Sequence, residues 1–272
     1  MRRIRMVGIC LIATFAMSAV ATAGASAAAP EYGKCIKTIG GKWKDAGCKT
    51  PSKPGEERYE WFKGFNGNGK NEIVKKAFKA HIKEIKAGAV TLEGVAGVKV
   101  QCSNESSTGE FTGEKTVKDE KIVFSGCLVE GAGKCENTAT EGTVTVNNLV
   151  GELGVVKFGT TSAANKLGDL LKPKEGTVVT QFECAGSPTK VRGAVISPLA
   201  TNAMKFTSTV KFAGTKGKQK PERFETSKGV KGPLEVLETA FLGSNAFEQS
   251  AQTMATIQEN EGKEKVEASS VN

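Results

Sequence analysis

Met204-Lys205-Phe206-Thr207-Ser208-Thr209-Val210-Lys211-Phe212 decides the fold class. Met204, Phe206, Ser208, Val210 and Phe212 alternate with Lys205, Thr207, Thr209 and Lys211. One face is mostly apolar and the other polar, the period-two pattern of a half-buried antiparallel strand. Val178, Thr180, Phe182 and Cys184 repeat it, with Val179, Gln181 and Glu183 between them. So do Val98, Val100 and Cys102. Similar runs cover 144–149, 190–196, 247–257 and 263–269. Glycine-rich breaks such as Gly214-Thr215-Lys216-Gly217 separate them. Many short strands at this spacing predict an all-β protein, an antiparallel sandwich or flattened barrel.

Two segments read both ways. Ile73–Ile85 fits a helix, with Val74, Ala77, Phe78, Ile82 and Ile85 on one face. It also fits a strand from Ala77, with Phe78, Ala80 and Ile82 inward. The strand is preferred, because the alternation continues straight after it. Thr161–Leu171 fits a short helix ahead of Pro173, weakened by Gly168. No repeat of fixed period appears.

The first 27 residues predict export. Arg2, Arg3 and Arg5 precede an apolar run from Met6 to Val20, and Ala25-Ser26-Ala27 supplies the small residues of a cleavage site. Cleavage is placed after Ala27, so the protein is expected to be secreted or associated with the cell envelope. The apolar run is short for a membrane span, and no later segment approaches one. Cys10 sits in that run without the context of a lipidated cysteine. The formal charge is +9. Without the three signal arginines the mature chain carries +6, which suits an anionic cell-wall polymer or another envelope protein as partner. Nucleic acid is not expected, since no basic helix or aromatic-basic motif is present.

Six cysteines remain after the signal, and in an oxidising compartment they read as disulfides. Cys35 and Cys48 bracket one glycine-rich stretch. Cys127 and Cys135 bracket another, which holds Gly131 and Gly133. Local pairing is the simplest choice for both, which leaves Cys102 with Cys184, one of 15 possible connectivities. With no CxxC and a single histidine, His81, neither metal nor cofactor is expected.

Both tryptophans and both tyrosines lie between Tyr32 and Trp61. That shift in composition sets residues 28–70 apart as a small cysteine and aromatic unit, ahead of an antiparallel β domain at 71–272. Tyr32, Trp43, Tyr59 and Trp61 form either a stacking surface for sugars or peptides or a small core under the Cys35–Cys48 loop; the core reading is preferred. Lys216, Lys218 and Lys220 form a basic turn that can meet an anionic polymer or simply stay solvated.

No catalytic residue is assigned. In the strand reading His81 falls on the outward face between Lys79 and Lys83, so histidine-based catalysis is not expected. Gly64–Lys70 matches GxxxxGK but places Asn71 where the phosphate loop needs Ser or Thr. Glutamates are plentiful, while Asp45, Asp119 and Asp169 are the only aspartates. A carboxylate pair is therefore open without being identifiable.

Tyr32-Gly33-Lys34-Cys35, Gly41-Lys42-Trp43-Lys44-Asp45-Ala46-Gly47-Cys48 and Tyr59-Glu60-Trp61 resemble the opening of an uncharacterised family of secreted proteins from soil actinobacteria. Phe124-Ser125-Gly126-Cys127, Phe182-Glu183-Cys184, Glu222-Arg223-Phe224-Glu225 and Phe247-Glu248-Gln249 extend the likeness over most of the mature chain. The resemblance implies export and a β-rich fold, and supplies no activity or site. The expected function is a non-enzymatic binding or structural module. An exported hydrolase using paired carboxylates is the alternative, and a surface protein that self-associates through a strand edge is the third.

Overall fold

The computed structural model describes residues 29–67, 69 and 72–269. The export signal expected at 1–27 and Lys70 of the GxxxxGK stretch lie outside these residues.

The regular structure of the described residues is strand apart from two 3-10 turns. β1 (Glu31–Lys37), β2 (Tyr59–Lys63), β3 (Ala77–Ile82), β4 (Val90–Gly94), β5 (Lys99–Cys102) and β6 (Asn104–Phe111) come first. β7 (Thr116–Ser125), β8 (Leu128–Val129), β9 (Gly133–Glu136), β10 (Thr143–Lys157) and β11 (Lys166–Pro173) follow. Then come β12 (Val178–Cys184), β13 (Ser187–Gly193), β14 (Val195–Thr201), β15 (Thr207–Thr215) and β16 (Lys218–Lys220). β17 (Glu225–Ser227), β18 (Val230–Lys231), β19 (Leu237–Ala240), β20 (Glu248–Asn260) and β21 (Glu267–Ser269) complete the chain.

Hydrogen bonding closes the sheet on itself. One circuit runs β15-β14-β11-β10-β7-β6-β3-β20 and returns to β15. A second runs β19-β13-β12-β9-β8-β5-β4-β20 and returns to β19. The two circuits share an order. β14 continues back into β13 across Ala194, β6 into β5 across Ser103, and β7 forward into β8 across Gly126-Cys127. They are therefore two tiers of one eight-stranded antiparallel barrel, and β20 spans both. Its alternate residues Ser250, Met254 and Thr256 are buried, as the period-two pattern requires.

The lower end of the barrel carries a three-stranded sheet, β2-β1-β21, drawn from both ends of the chain. The segment set apart by its composition thus takes its third strand from the far terminus. Tyr32 donates its backbone N–H to the Glu114 carbonyl at 2.9 Å in the β6–β7 turn. Asn202 fixes Ala268 by two bonds, donating Nδ2–H at 2.6 Å and accepting the Ala268 N–H at 3.0 Å. Lys34 pairs with Glu264, whose Oε2 also accepts the Lys75 N–H at 2.6 Å.

Three expectations are corrected. Thr161–Leu171 is not a helix: a single 3-10 turn at Ser162–Ala164 leads into β11. Leu167 to Leu171 are all buried, because Leu170 on the outer face is covered by Val156 and Phe224. A strand buried on both faces loses its alternation. Phe206 lies just before β15 and is 38 % exposed instead of inward. Val178 is exposed because the register shifts between Val178 and Thr180, which turns Val179 to the interior in its place.

The cysteine pairing is also corrected. Cys35–Cys48 is as expected, but the others are Cys102–Cys127 and Cys135–Cys184. The register explains why. β5 pairs Val100 with Val129 and Gln101 with Leu128, so Cys102 comes opposite Cys127. β8 pairs Leu128 with Lys134, so Cys127 comes opposite Cys135, and Cys135 is opposite Cys184. All four sulfurs stand in one inward row across four strands. Joining Cys127 to Cys135 would strand the outer two about 14 Å apart at the usual strand spacing. Cys135 donates its N–H to the Cys127 carbonyl at 3.0 Å, so those two form the wider, hydrogen-bonded pair. Each then meets its other neighbour across the narrow pair, with Cα atoms 4.0 Å apart. Loops of 25 and 49 residues correspond to about 3.5 and 4 kcal/mol of unfolded-state restriction. Non-reducing peptide mapping should recover these two bridges. The double substitution Cys135→Ala/Cys184→Ala should lower the urea-unfolding free energy by about 2–4 kcal/mol.

Candidate functional site

The barrel interior holds a cavity of about 170 Å³. Its wall is mostly aliphatic and aromatic, with Val146, Leu149, Phe78 and Phe212 among the lining residues. Against that wall stand four titratable groups, Tyr32, Glu105, Asp119 and Asp169. Among the described residues no lysine, arginine or histidine lines it.

Each acid reaches the interior by a definite backbone feature. Asp119 depends on a bulge. Thr108 pairs with Lys121 and Gly109 with Asp119, so Glu120 is an extra residue on β7. The bulge moves the inward phase from Ile122 to Asp119 and Val117. Without it Glu120 and Lys118 would face the core. On the next strand Asn148 stands opposite at φ 56°, and the inward phase of β10 changes there from Val146 to Leu149. Asp169 follows simple alternation in β11, between Leu167 and Leu171. Glu105 is the second residue of β6, just past the break at Ser103, and is 1 % exposed.

Burial governs their chemistry. It pushes the Glu105 carboxyl up to about 7, and the charge of Asp119 adds to the shift. Burial raises Asp169 to about 7 as well, with Asp119 contributing and the Tyr32 hydrogen bond opposing. Asp119 rises to about 6 by burial alone. The Tyr32 phenol is driven well above its ordinary value, first by burial and then by Asp169. It stays protonated and donates to the Asp169 carboxyl. The Oε2 of Glu105 is fully buried without a hydrogen-bond partner.

These groups are strung along the lumen. Glu105 lies four residues above Gly109, the residue opposite Asp119, a rise of about 13 Å along the strand. Among the described residues no three acids, cysteines or histidines converge to hold a metal ion.

The residues singled out by sequence fall in three places: Tyr32 in the barrel, half-buried Trp43, Tyr59 and Trp61 together in the terminal sheet, and the lysines on a hairpin. Tyr32 is 4 % exposed and belongs to the barrel, edge-on to Phe111 with ring centroids 4.9 Å apart. Trp61 lies against Gly33, where any side chain would collide with its ring. Trp43 is half-buried and bridges Pro51 and Tyr59. Lys216, Lys218 and Lys220 are exposed at the β15–β16 hairpin, and Gln219 between them is buried, bonded to Ala213 and Gln252. His81 is exposed on β3, which runs from Ala77 as expected. Sequence reasoning named Asp119 and Asp169 only as aspartates and passed over Glu105. The available signal was the broken phase between Val117 and Ile122. No family model, curated protein or solved structure matches the chain.

Two measurements check this site. Tyr32→Phe leaves a buried carboxyl without its donor and should cost about 1–3 kcal/mol in unfolding free energy. The carboxyls titrate higher folded than unfolded, so their contribution is fully present below about pH 4 and is lost as pH rises through about 7. Thermal melts should therefore show stability falling between about pH 4 and pH 7, and Glu105→Gln should flatten that slope and raise the melting point at the upper end.

Proposed function

We infer that this chain is an exported, non-enzymatic binding module that takes a small ligand inside its barrel. The observation that carries this reading is the 170 Å³ cavity, walled by apolar side chains and holding one unpartnered buried carboxylate oxygen. A cavity of about 150 Å³ is enough to hold a benzene-sized molecule. The export signal in the sequence, three disulfides and the likeness to secreted actinobacterial proteins support a place outside the cytoplasm. Among the described residues no helix is long and apolar enough to cross a membrane. The exposed lysines at 216, 218 and 220 support association of the outer face with an anionic envelope polymer.

The alternative, an exported hydrolase, has acids to draw on in Asp119 and Asp169. They are 9 % and 7 % exposed, a placement that favours a small enclosed molecule over a polymer laid across two carboxyls. Self-association through a sheet edge is favoured less, since the barrel strands close their own ring.

Benzene is the probe for lumen binding. Added to the mature protein it should raise the melting temperature saturably, and Val146→Leu, which fills part of the lumen, should weaken that effect at least about threefold. No shift with benzene at saturation would refute binding inside the barrel. N-terminal sequencing of protein from the culture medium should begin at Ala28.

A further inference from the structure

The interior reverses the charge of the exterior. The chain carries 38 lysines and arginines against 29 aspartates and glutamates. Yet among the described residues every charged group lining the cavity is acidic. Three carboxyls sit in an apolar room that no cation among the described residues lines, and one of them, Glu105, holds a buried oxygen that no described residue satisfies. A buried carboxyl that ionises needs a donor or an opposite charge, or it keeps its proton. Tyr32 supplies a donor to Asp169. Ser107, two residues along the same face, reaches Glu105 but leaves Oε2 free.

We propose that the lumen binds a small organic amine, its ammonium group on Glu105 and its apolar body against the barrel wall. This rests on the reading that the barrel takes a ligand inside, and names its chemistry. The volume limits the body to about one ring or a short chain. A metal ion fits poorly, because the acids are spread along the lumen and among the described residues no three converge. An anion meets three carboxyls of its own sign. A neutral ligand leaves the carboxylate unpaired once it ionises. An ammonium both hydrogen-bonds Oε2 and neutralises the charge.

Benzylamine, benzyl alcohol and benzoate share a ring and differ in the charge of the head group. Their affinities for the mature protein, measured calorimetrically at about pH 8, should rank amine over alcohol by about tenfold or more, with benzoate weakest. In Glu105→Gln the amine and alcohol should differ by less than about twofold while the alcohol still binds. The wild-type protein gives a second test that needs no variant. Tyr32, Asp119 and Asp169 are the other titratable groups facing the lumen. Lowering the pH to about 5.5 protonates the carboxyls, so the preference for the amine should collapse there. Equal binding of amine and alcohol at about pH 8, or a preference that survives Glu105→Gln, would overturn the proposal and leave lumen binding intact. Calcium chloride that competes with benzylamine would overturn it in favour of a metal. Failure of all three probes, with benzene also silent, would remove the binding reading beneath it.

Discussion

Strand β20 closes the barrel, and the rest of the structure follows from that closure. Its first half pairs with β19 on one side and β4 on the other, and its second half with β15 and β3. An open sheet would leave two rows of unpaired N–H and C=O groups. A ring leaves none in the wall. Closure also creates an inside, which a flat sheet lacks. Alternation along each strand then assigns side chains to the lumen or the exterior with no further choice. The disulfides depend on the same arrangement, since only strands held in register bring four cysteines into a single row.

The ends of the barrel are managed differently. The lower end is covered by chain drawn from both termini, and Tyr32 reaches from that cover to Asp169. The upper tier is held by covalent bonds across β5, β8, β9 and β12, where Cys127, Cys135 and Cys184 are fully buried. Short strands of two to four residues, such as β8 and β9, contribute few ladder bonds. Cross-links between them supply what the ladder lacks.

The sequence spoke clearly where one face of a strand is dry and the other wet. Val210 and Phe212, Val100 and Cys102, Phe78 and Ile82 all sit inward as their alternation requires. It misled where that condition fails. Leu167–Leu171 looked helical because Phe224 covers the outer face of β11. The cysteine pairing was out of reach for a different reason. Spacing along the chain shows which cysteines are near in sequence, whereas the bond follows which pair of strands is narrow at that level. That is a property of the register, set by residues such as Leu128 and Lys134 that carry no sulfur. The acids were hidden similarly: a single extra residue, Glu120, decides whether Asp119 or its neighbour enters the core.

Buried carboxyls are an expensive way to hold a barrel together. Apolar residues of similar volume in place of buried ionisable groups are often neutral or stabilising. Stability by itself therefore gives no reason for Glu105, Asp119 and Asp169 to face the lumen. Nor are they errors of alternation, because in β7 and β10 the backbone departs from regular geometry at the level where Asp119 turns inward. Asp169 has a local justification in the Tyr32 phenol, which ties the terminal sheet to the wall. Glu105 has no such partner on Oε2. Its burial raises the energy of the ionised state and leaves it to be relieved by whatever enters the cavity. The described lysines lie outside the lumen and cannot pair with it there. A proton relieves a buried carboxylate at low pH. Once Glu105 is ionised, a cation with an apolar body can do so, and the lumen offers room for one.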